Sequence, residues 1–170
     1  VNATHDVSVI IVNWNTVDIL RDCLNSIYKE TRGITFETLV IDNASSDSSV
    51  HMVRNEFPNT ILIANKDNRG FAAANNQGLR QAQGRYLLLL NSDTLILDGA
   101  IQKTVRYADA AEGVGVLGCQ VWENETTIQY TCFRFPTPWN LFCVITGLAK
   151  LAPKSRLFGG DRMRARDRRY

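Results

Sequence analysis

Asp42 and Asp93 each stand at the end of an apolar run. Thr38-Leu39-Val40-Ile41 leads into Asp42, and Tyr86-Leu87-Leu88-Leu89-Leu90 leads into Asn91-Ser92-Asp93. A third run, Ser8-Val9-Ile10-Ile11-Val12, stops on Asn13. Runs so rich in Val, Ile and Leu read as strands buried on both faces of a parallel sheet. Ligands of such sheets lodge beyond the carboxyl ends of the strands. Three polar tips therefore describe a site whose chemistry can be read.

A carboxylate at the end of a buried strand is costly without a partner. For Asp93 a divalent cation shared with a diphosphate supplies one, because Mg²⁺ takes one or two protein carboxylates and completes its shell with phosphate oxygens and water. Asn91 is then a further ligand or a support. The competing reading is that Asn91-Ser92-Asp93-Thr94 only makes a turn into the next element. Asp42, when ionised, accepts hydrogen bonds and donates none, so it would select a base with a ring N–H, such as uracil or thymine. It could equally close an Asx-turn before Ser46. A third element, Asn68-Arg69-Gly70-Phe71-Ala72-Ala73-Ala74-Asn75-Asn76, opens a helix, and helix N-termini favour anions. Gly70 would let backbone approach a ligand closely.

These groups need elements to carry them. The first hundred residues alternate strand and helix. A helix is expected from about Thr16 to Lys29, with Val17, Leu20, Leu24 and Ile27 on one face. A strand over Phe36 to Ile41, a short helix ending near Phe57, and a strand over Thr60 to Ala64 follow. Next come a helix over Gly70 to Gln83, a strand over Arg85 to Leu90, and a helix over Asp98 to Ala111. This order predicts a three-layer α/β/α fold with a mostly parallel Rossmann-like sheet and right-handed crossovers. If strands two, one and four are neighbours, their tips span about 10 Å at ~4.8 Å per step. That is the length of a nucleoside with its first phosphates. After Gly113 two strands are expected, Val114–Trp122 and Thr126–Phe133, with a turn at Glu123-Asn124. An amphipathic helix follows over Trp139–Leu151. The domain division is set at 1–135 and 136–170.

Common nucleotide motifs are missing. The turn after the first strand is Asn13-Trp14-Asn15-Thr16, with no glycine fingerprint for a dinucleotide, and no P-loop occurs. Thr16-Val17-Asp18 offers none of the basic residues with which a nucleotidyltransferase would hold a triphosphate. His5 and His51 are isolated, and Cys23, Cys119, Cys132 and Cys143 form no C-x-x-C pair. No apolar run is long enough to span a membrane. Of the nineteen basic residues, eight lie between Lys150 and Tyr170 against two Asp, which leaves eleven basic and fifteen acidic residues before them. The basic tail suits solvent, an anionic lipid surface or a phosphate-bearing substrate.

Together these segments resemble family-two glycosyltransferases, which have the GT-A fold. Val7–Asn15 resembles the first strand and base-binding loop, and Leu39–Asp47 the second. Asn68-Arg69-Gly70-Phe71-Ala72 with Asn75-Asn76-Gln77-Gly78 resembles the N-x-G-F-A…N-N-x-G segment. Leu88–Thr94 is similar to the strand carrying the D-x-D-type motif, with Asn91 at its first position. The nearest likeness is to bacterial rhamnosyltransferase-like members, which build cell-surface polysaccharide. The resemblance implies a nucleotide-diphospho-sugar transferase. Val12, Asn13, Asn15, Asp42, Asn68, Gly70, Phe71, Asn76, Asn91 and Ser92 would hold the donor, and Asp93 would hold Mg²⁺ or Mn²⁺. It also implies an inverting reaction, a UDP- or dTDP-linked sugar, and a saccharide or lipid-linked acceptor. No nucleic-acid partner is expected. The location implied is cytoplasmic, including peripheral contact with the inner face of the membrane, and a second copy of the chain is a candidate partner. The family's acceptor half and its acidic catalytic base have no counterpart after Arg134. The chain therefore looks cut before them, the base is expected beyond Tyr170, and Asp161 and Asp167 are candidates by proximity alone. A non-catalytic nucleotide-sugar-binding module is the alternative reading.

Overall fold

The structure is a computed structural model and describes residues 3–124, 126–129 and 137–151. Four strands and four helices alternate through the first 110 residues: β1 (His5–Asn13), α1 (Val17–Glu30), β2 (Phe36–Asp42), α2 (Ser49–Glu56), β3 (Ile61–Ala64), α3 (Phe71–Gln81), β4 (Gly84–Asn91) and α4 (Ala100–Ala110). The strands form one parallel sheet in the order β3-β2-β1-β4. The chain order thus reverses at β1, and the three polar tips are neighbours as expected. Asn13 pairs with Asp42, and Val12 with Asn91.

Helices cover both faces of the sheet. Val7, Val9 and Ile11 of β1 and Val40 of β2 pack with Leu20, Cys23, Leu24 and Ile27 of α1, with Met52 and Val53 of α2, and with Ile101 and Val105 of α4. On the other face Ile10, Leu39 and Ile41 meet Ala74 of α3. Gly78 lets that helix lie close. A Cβ there would stand 2.6 Å from Ile10 Cγ2 and 2.8 Å from Ile41 Cδ1.

Three expectations are corrected. β4 is not buried on both faces: Leu88 and Leu90 join the core, but Leu87 and Leu89 are each 51% exposed. The reason is reach, since α3 contacts β1 and β2 and leaves the outer face of β4 uncovered among the described residues. Among the described residues the two later strands do not form as read. Residues 114–120 lack strand pairing, and one antiparallel bridge, Trp122 to Ile128, closes the expected turn. Asn124 Oδ1 accepts the Thr126 and Thr127 amides there. Half of the second expected strand, residues 130–133, lies outside the described residues. The single helix over 139–151 is two helices, α5 (Pro138–Ile145) and α6 (Leu148–Leu151), broken where Gly147 takes φ +78°. Pro138 stands in the first turn of α5, and Thr137 caps it by accepting the Asn140 amide at 3.1 Å.

The chain forms two compact units, Val1–Leu117 and Gly118–Tyr170. The described residues between 118 and 129 add no strand to the sheet. No helix among the described residues is long and apolar enough to cross a membrane.

Candidate functional site

Two loops at the tips of β1 and β2 are tied together by side chains. Asn13 is fully buried. Its Nδ2 donates to Asp42 Oδ2 at 2.9 Å and to Ser45 Oγ at 3.2 Å, and its Oδ1 accepts the Thr16 hydroxyl at 2.6 Å. Asp42 also accepts the Ser45 hydroxyl at 2.6 Å and the Ser45 amide at 2.9 Å. Asn15, in the left-handed region at φ +54°, accepts the Ser46 amide at 2.7 Å. The asparagine side chain suits that conformation, because it can bond locally where other residues are strained.

Asp47 anchors both helices that leave these loops. Its carboxylate accepts the Val17 amide, the first of α1, at 3.0 Å and the Ser49 amide, the first of α2, at 2.9 Å. Burial pushes the Asp47 carboxyl up, but the hydrogen bonds from Ser49 and Val17 outweigh it and hold the group below the usual carboxylate range.

A second set of amides fixes the β3–α3 loop. Asn43 Nδ2 donates to Asn68 Oδ1 at 2.8 Å, and Asn43 Oδ1 accepts the Arg69 amide at 3.0 Å. Asn68 Oδ1 also accepts the Gly70 amide at 2.9 Å. Gly70 has φ +76°, and no side chain caps the N-terminus of α3 that follows it.

The Asn91–Ile96 loop after β4 rests on α1. Cys23 Sγ points at the Asn91 carbonyl at 3.8 Å, and Ser26 Oγ accepts the Ile96 amide at 2.9 Å. Burial pushes the Cys23 thiol up to about 12, so it stays protonated and able to donate.

These loops surround a cavity of about 580 Å³ beyond the strand tips, within the range of small-ligand sites. Val12, Trp14, Thr16 and Ile19 line it from β1 and the start of α1. Asn43 and Asn68 supply amides, Gly70 and Phe71 the start of α3, and Asn91, Ser92 and Asp93 the third tip. Trp14 and Phe71 are aromatic and exposed at its walls. The cavity can therefore take a ligand with a planar apolar part, several hydroxyl or amide groups and one anionic segment.

Of the residues singled out in the sequence, Val12, Asn68, Gly70, Phe71, Asn91, Ser92 and Asp93 are brought together. Asn13, Asn15 and Asp42 lie behind the wall. Asp42 is 1% exposed, and its oxygens already accept three hydrogen bonds, so it supports the site from below. Asn76 points outward from α3 and does not line the cavity, whereas its neighbour Asn75 is buried and donates to the Phe71 carbonyl at 3.0 Å. Trp14, Thr16, Ile19 and Asn43 were missed. Ile19 carried a signal, since it is an apolar residue off the buried stripe of Leu20, Cys23, Leu24 and Ile27.

Asp93 is exposed, so the burial argument for its partner does not hold; water solvates it. Among the described residues it takes part in no hydrogen bond or ion pair, and no three His, Cys, Asp or Glu side chains group as a metal cage. One open carboxylate on a cavity wall, with the Asn91 and Ser92 oxygens beside it in sequence, fits a cation whose other ligands are phosphate and water.

A family model described as glycosyl transferase family 2 matches residues 8–168. Among curated proteins, the chain is 31% identical over 109 residues to the minor teichoic acid biosynthesis protein GgaB of Bacillus subtilis, covering 62% of this chain and 12% of that one. It is 31% identical over 107 residues to the succinoglycan biosynthesis protein ExoO of Rhizobium meliloti, covering 62% of this chain and 30% of that one. Among solved structures, the mannosyltransferase PcManGT from Pyrobaculum calidifontis, in complex with GDP-Man and Mn²⁺, superposes with a TM-score of 0.59 at 27% identity. That match covers 65% of this chain and 34% of the other. S. aureus TarS 1-349 in complex with UDP-GlcNAc superposes with a TM-score of 0.54 at 25% identity, covering 66% and 37%. The chain thus spans a third or less of the length of these curated relatives. The parallel sheet with its flanking helices is the GT-A arrangement of these neighbours.

Proposed function

Because this chain belongs to glycosyl transferase family 2, we propose that it is the donor-binding part of an inverting transferase that uses a pyrimidine nucleotide-diphospho-sugar. The observation that carries this reading is the cavity at the strand tips. It joins the β1 tip, the start of α3 and Asp93 in one space of nucleotide-sugar size. Trp14 and Phe71 offer rings for the base or sugar to pack on. Val12 gives an apolar floor, and Asn43, Asn68 and Ser92 offer donors and acceptors to hydroxyls. The uncapped start of α3 at Gly70 favours the negative end of the ligand.

Asp93, with Asn91 beside it, would hold Mg²⁺ or Mn²⁺, which would supply Lewis-acid neutralisation of the diphosphate charge. The mannosyltransferase neighbour is described in complex with Mn²⁺, which supports the cation. The donors named for the structural neighbours include both a guanine and a uracil nucleotide. The preference for uracil or thymine therefore rests on Asp42. Asp42 lies behind the cavity wall and would act on the base through the loop that it holds by way of Asn13 and Ser45. Asn13 and Asn15 keep the loop beneath the base in shape, and Asn76 lies outside this assignment. The transferred sugar, rhamnose by resemblance, and a saccharide or lipid-linked acceptor complete the proposal.

We place the catalytic base outside the described residues, since among them Asp93 is the sole acidic residue that lines the cavity. Asp161 and Asp167 lie outside the described residues. That observation also favours a second reading, in which these 170 residues hold donor and transfer nothing alone. Calorimetry with UDP-, dTDP- and GDP-linked sugars, with and without Mn²⁺, tests binding, and a transfer assay on the same protein tests the second reading. Mn²⁺-dependent binding of the pyrimidine donors is expected, without transfer. Binding that ignores both base and metal would overturn the assignment of the donor.

A further inference from the structure

No hydrogen bond or ion pair among the described residues holds the Asp93 carboxylate, so its place is set by the backbone of its own loop. That loop, from Asn91 to Ile96, has no strand partner once β4 ends. One backbone bond closes it, from the Thr94 amide to the Asn91 carbonyl at 3.2 Å. The remaining restraint comes from α1. The Cys23 thiol donates to the Asn91 carbonyl at 3.8 Å. Ser26 donates its hydroxyl proton to the Cys23 carbonyl at 2.7 Å, which turns an Oγ lone pair toward the Ile96 amide at 2.9 Å. Thr16, the N-cap residue of α1, places its Oγ1 3.4 Å from Ser92 Oγ.

These three side chains form one stripe. Positions 16 and 23 are two helical turns apart, and 23 and 26 are neighbours on the same side of the helix. The stripe cannot easily move, because Leu20, Leu24 and Ile27 of the same helix are fully buried in the core. Ile96, at the far end of the loop, is buried in that core as well. The loop is therefore held on both sides of Asp93, before it through Cys23 and after it through Ser26. Such anchoring matters to a cation more than to an organic ligand. Mg²⁺ demands near-octahedral geometry at short distances, so a small shift of one carboxylate is felt. Groups that hold a metal ligand without touching the metal commonly set affinity by about 10–100-fold.

We propose that Cys23 and Ser26 are positioning residues of the cation site, which hold the Asp93 loop where its carboxylate can share a divalent cation with a diphosphate. The inference rests on the donor reading given above. The test is calorimetric titration of the full chain with UDP, in Mn²⁺ and in EDTA, beside urea unfolding. Ser26→Ala is expected to lose about tenfold in UDP affinity in Mn²⁺ and less than about twofold in EDTA. Cys23→Ala should show the same split. Ser26→Thr, which keeps the hydroxyl, should restore the affinity in Mn²⁺. A part in folding alone would lower the urea midpoint and weaken UDP equally in both media. That result, a Mn²⁺ dependence that Ser26→Ala leaves whole, or a Ser26→Thr variant no better than Ser26→Ala, overturns the positioning role while the donor reading stands. An unmodified chain whose UDP affinity is the same in Mn²⁺ and in EDTA overturns the cation reading, and this proposal with it.

Discussion

At the scale of single residues, the two carboxylates at the rim have different tasks. Asp93 is open to the cavity and engaged by no other described side chain, so its removal should leave the fold intact. Asp93→Ala is expected to abolish the Mn²⁺-dependent part of nucleoside diphosphate affinity while the unfolding midpoint stays within experimental error. Calorimetry with and without EDTA reads this directly, and an affinity insensitive to EDTA in the unmodified chain would remove the cation from Asp93. Asp42 is buried and holds Asn13 and Ser45. Its replacement by Ala would strand buried donors, at about 1–3 kcal/mol each. Asp42→Asn keeps the volume and is the sharper probe. Uridine and thymidine ligands should weaken at least tenfold more than inorganic pyrophosphate. Equal losses for the two classes would confine Asp42 to a structural part.

Among the elements, the link between loop and helix is Asp47. One carboxylate serves the first amides of both α1 and α2, neither of which has a side-chain N-cap of its own. Loss of such a cap costs ~1–2 kcal/mol, and Asp47→Ala should show that loss in urea unfolding at pH 7. The group is held below its ordinary value in the folded chain. Its contribution is therefore complete above the unfolded value of about 3.9 and fades as pH falls through the lower folded one. In Asp47→Asn, the decline in stability below about pH 4 should be shallower than in the unmodified chain. The contact between α3 and the sheet depends on Gly78. Gly78→Ala drives a methyl into Ile10 and Ile41, and overpacking of this kind costs ~1–3 kcal/mol. Thermal melting should show a lower midpoint despite the better helix propensity of alanine, and an unchanged or raised midpoint would mean that α3 shifts freely.

For the whole molecule, the core is confined to one unit. Every buried hydrophobic residue except Cys143 lies within Val1–Leu117 among the described residues. Residues 1–117 alone should therefore unfold cooperatively in urea and keep nucleotide affinity within about threefold of the full chain. A non-cooperative transition would show that the core needs the second unit. The sequence by itself determined the strand–helix alternation, the α/β class and the three polar tips, because period-two and period-3.6 patterns and the residues that end them are local. The order β2-β1-β4 was only a condition in the sequence, and the strand pairing of the sheet meets it. What only the tertiary structure decided depends on distance across the fold. Leu87 and Leu89 are as apolar as Val9 and Ile11, yet they are exposed because α3 does not reach them. Asn43, and not Asp42, reaches the cavity, because neighbouring residues at a strand end point in opposite directions and hydrogen bonds from Asn13 and Ser45 hold Asp42 down. Asn75 is inside and Asn76 outside for the same kind of reason, a rotation of about 100° about the axis of α3. A residue's type states what chemistry it can do; which residue meets the ligand is set by packing between elements far apart in the chain.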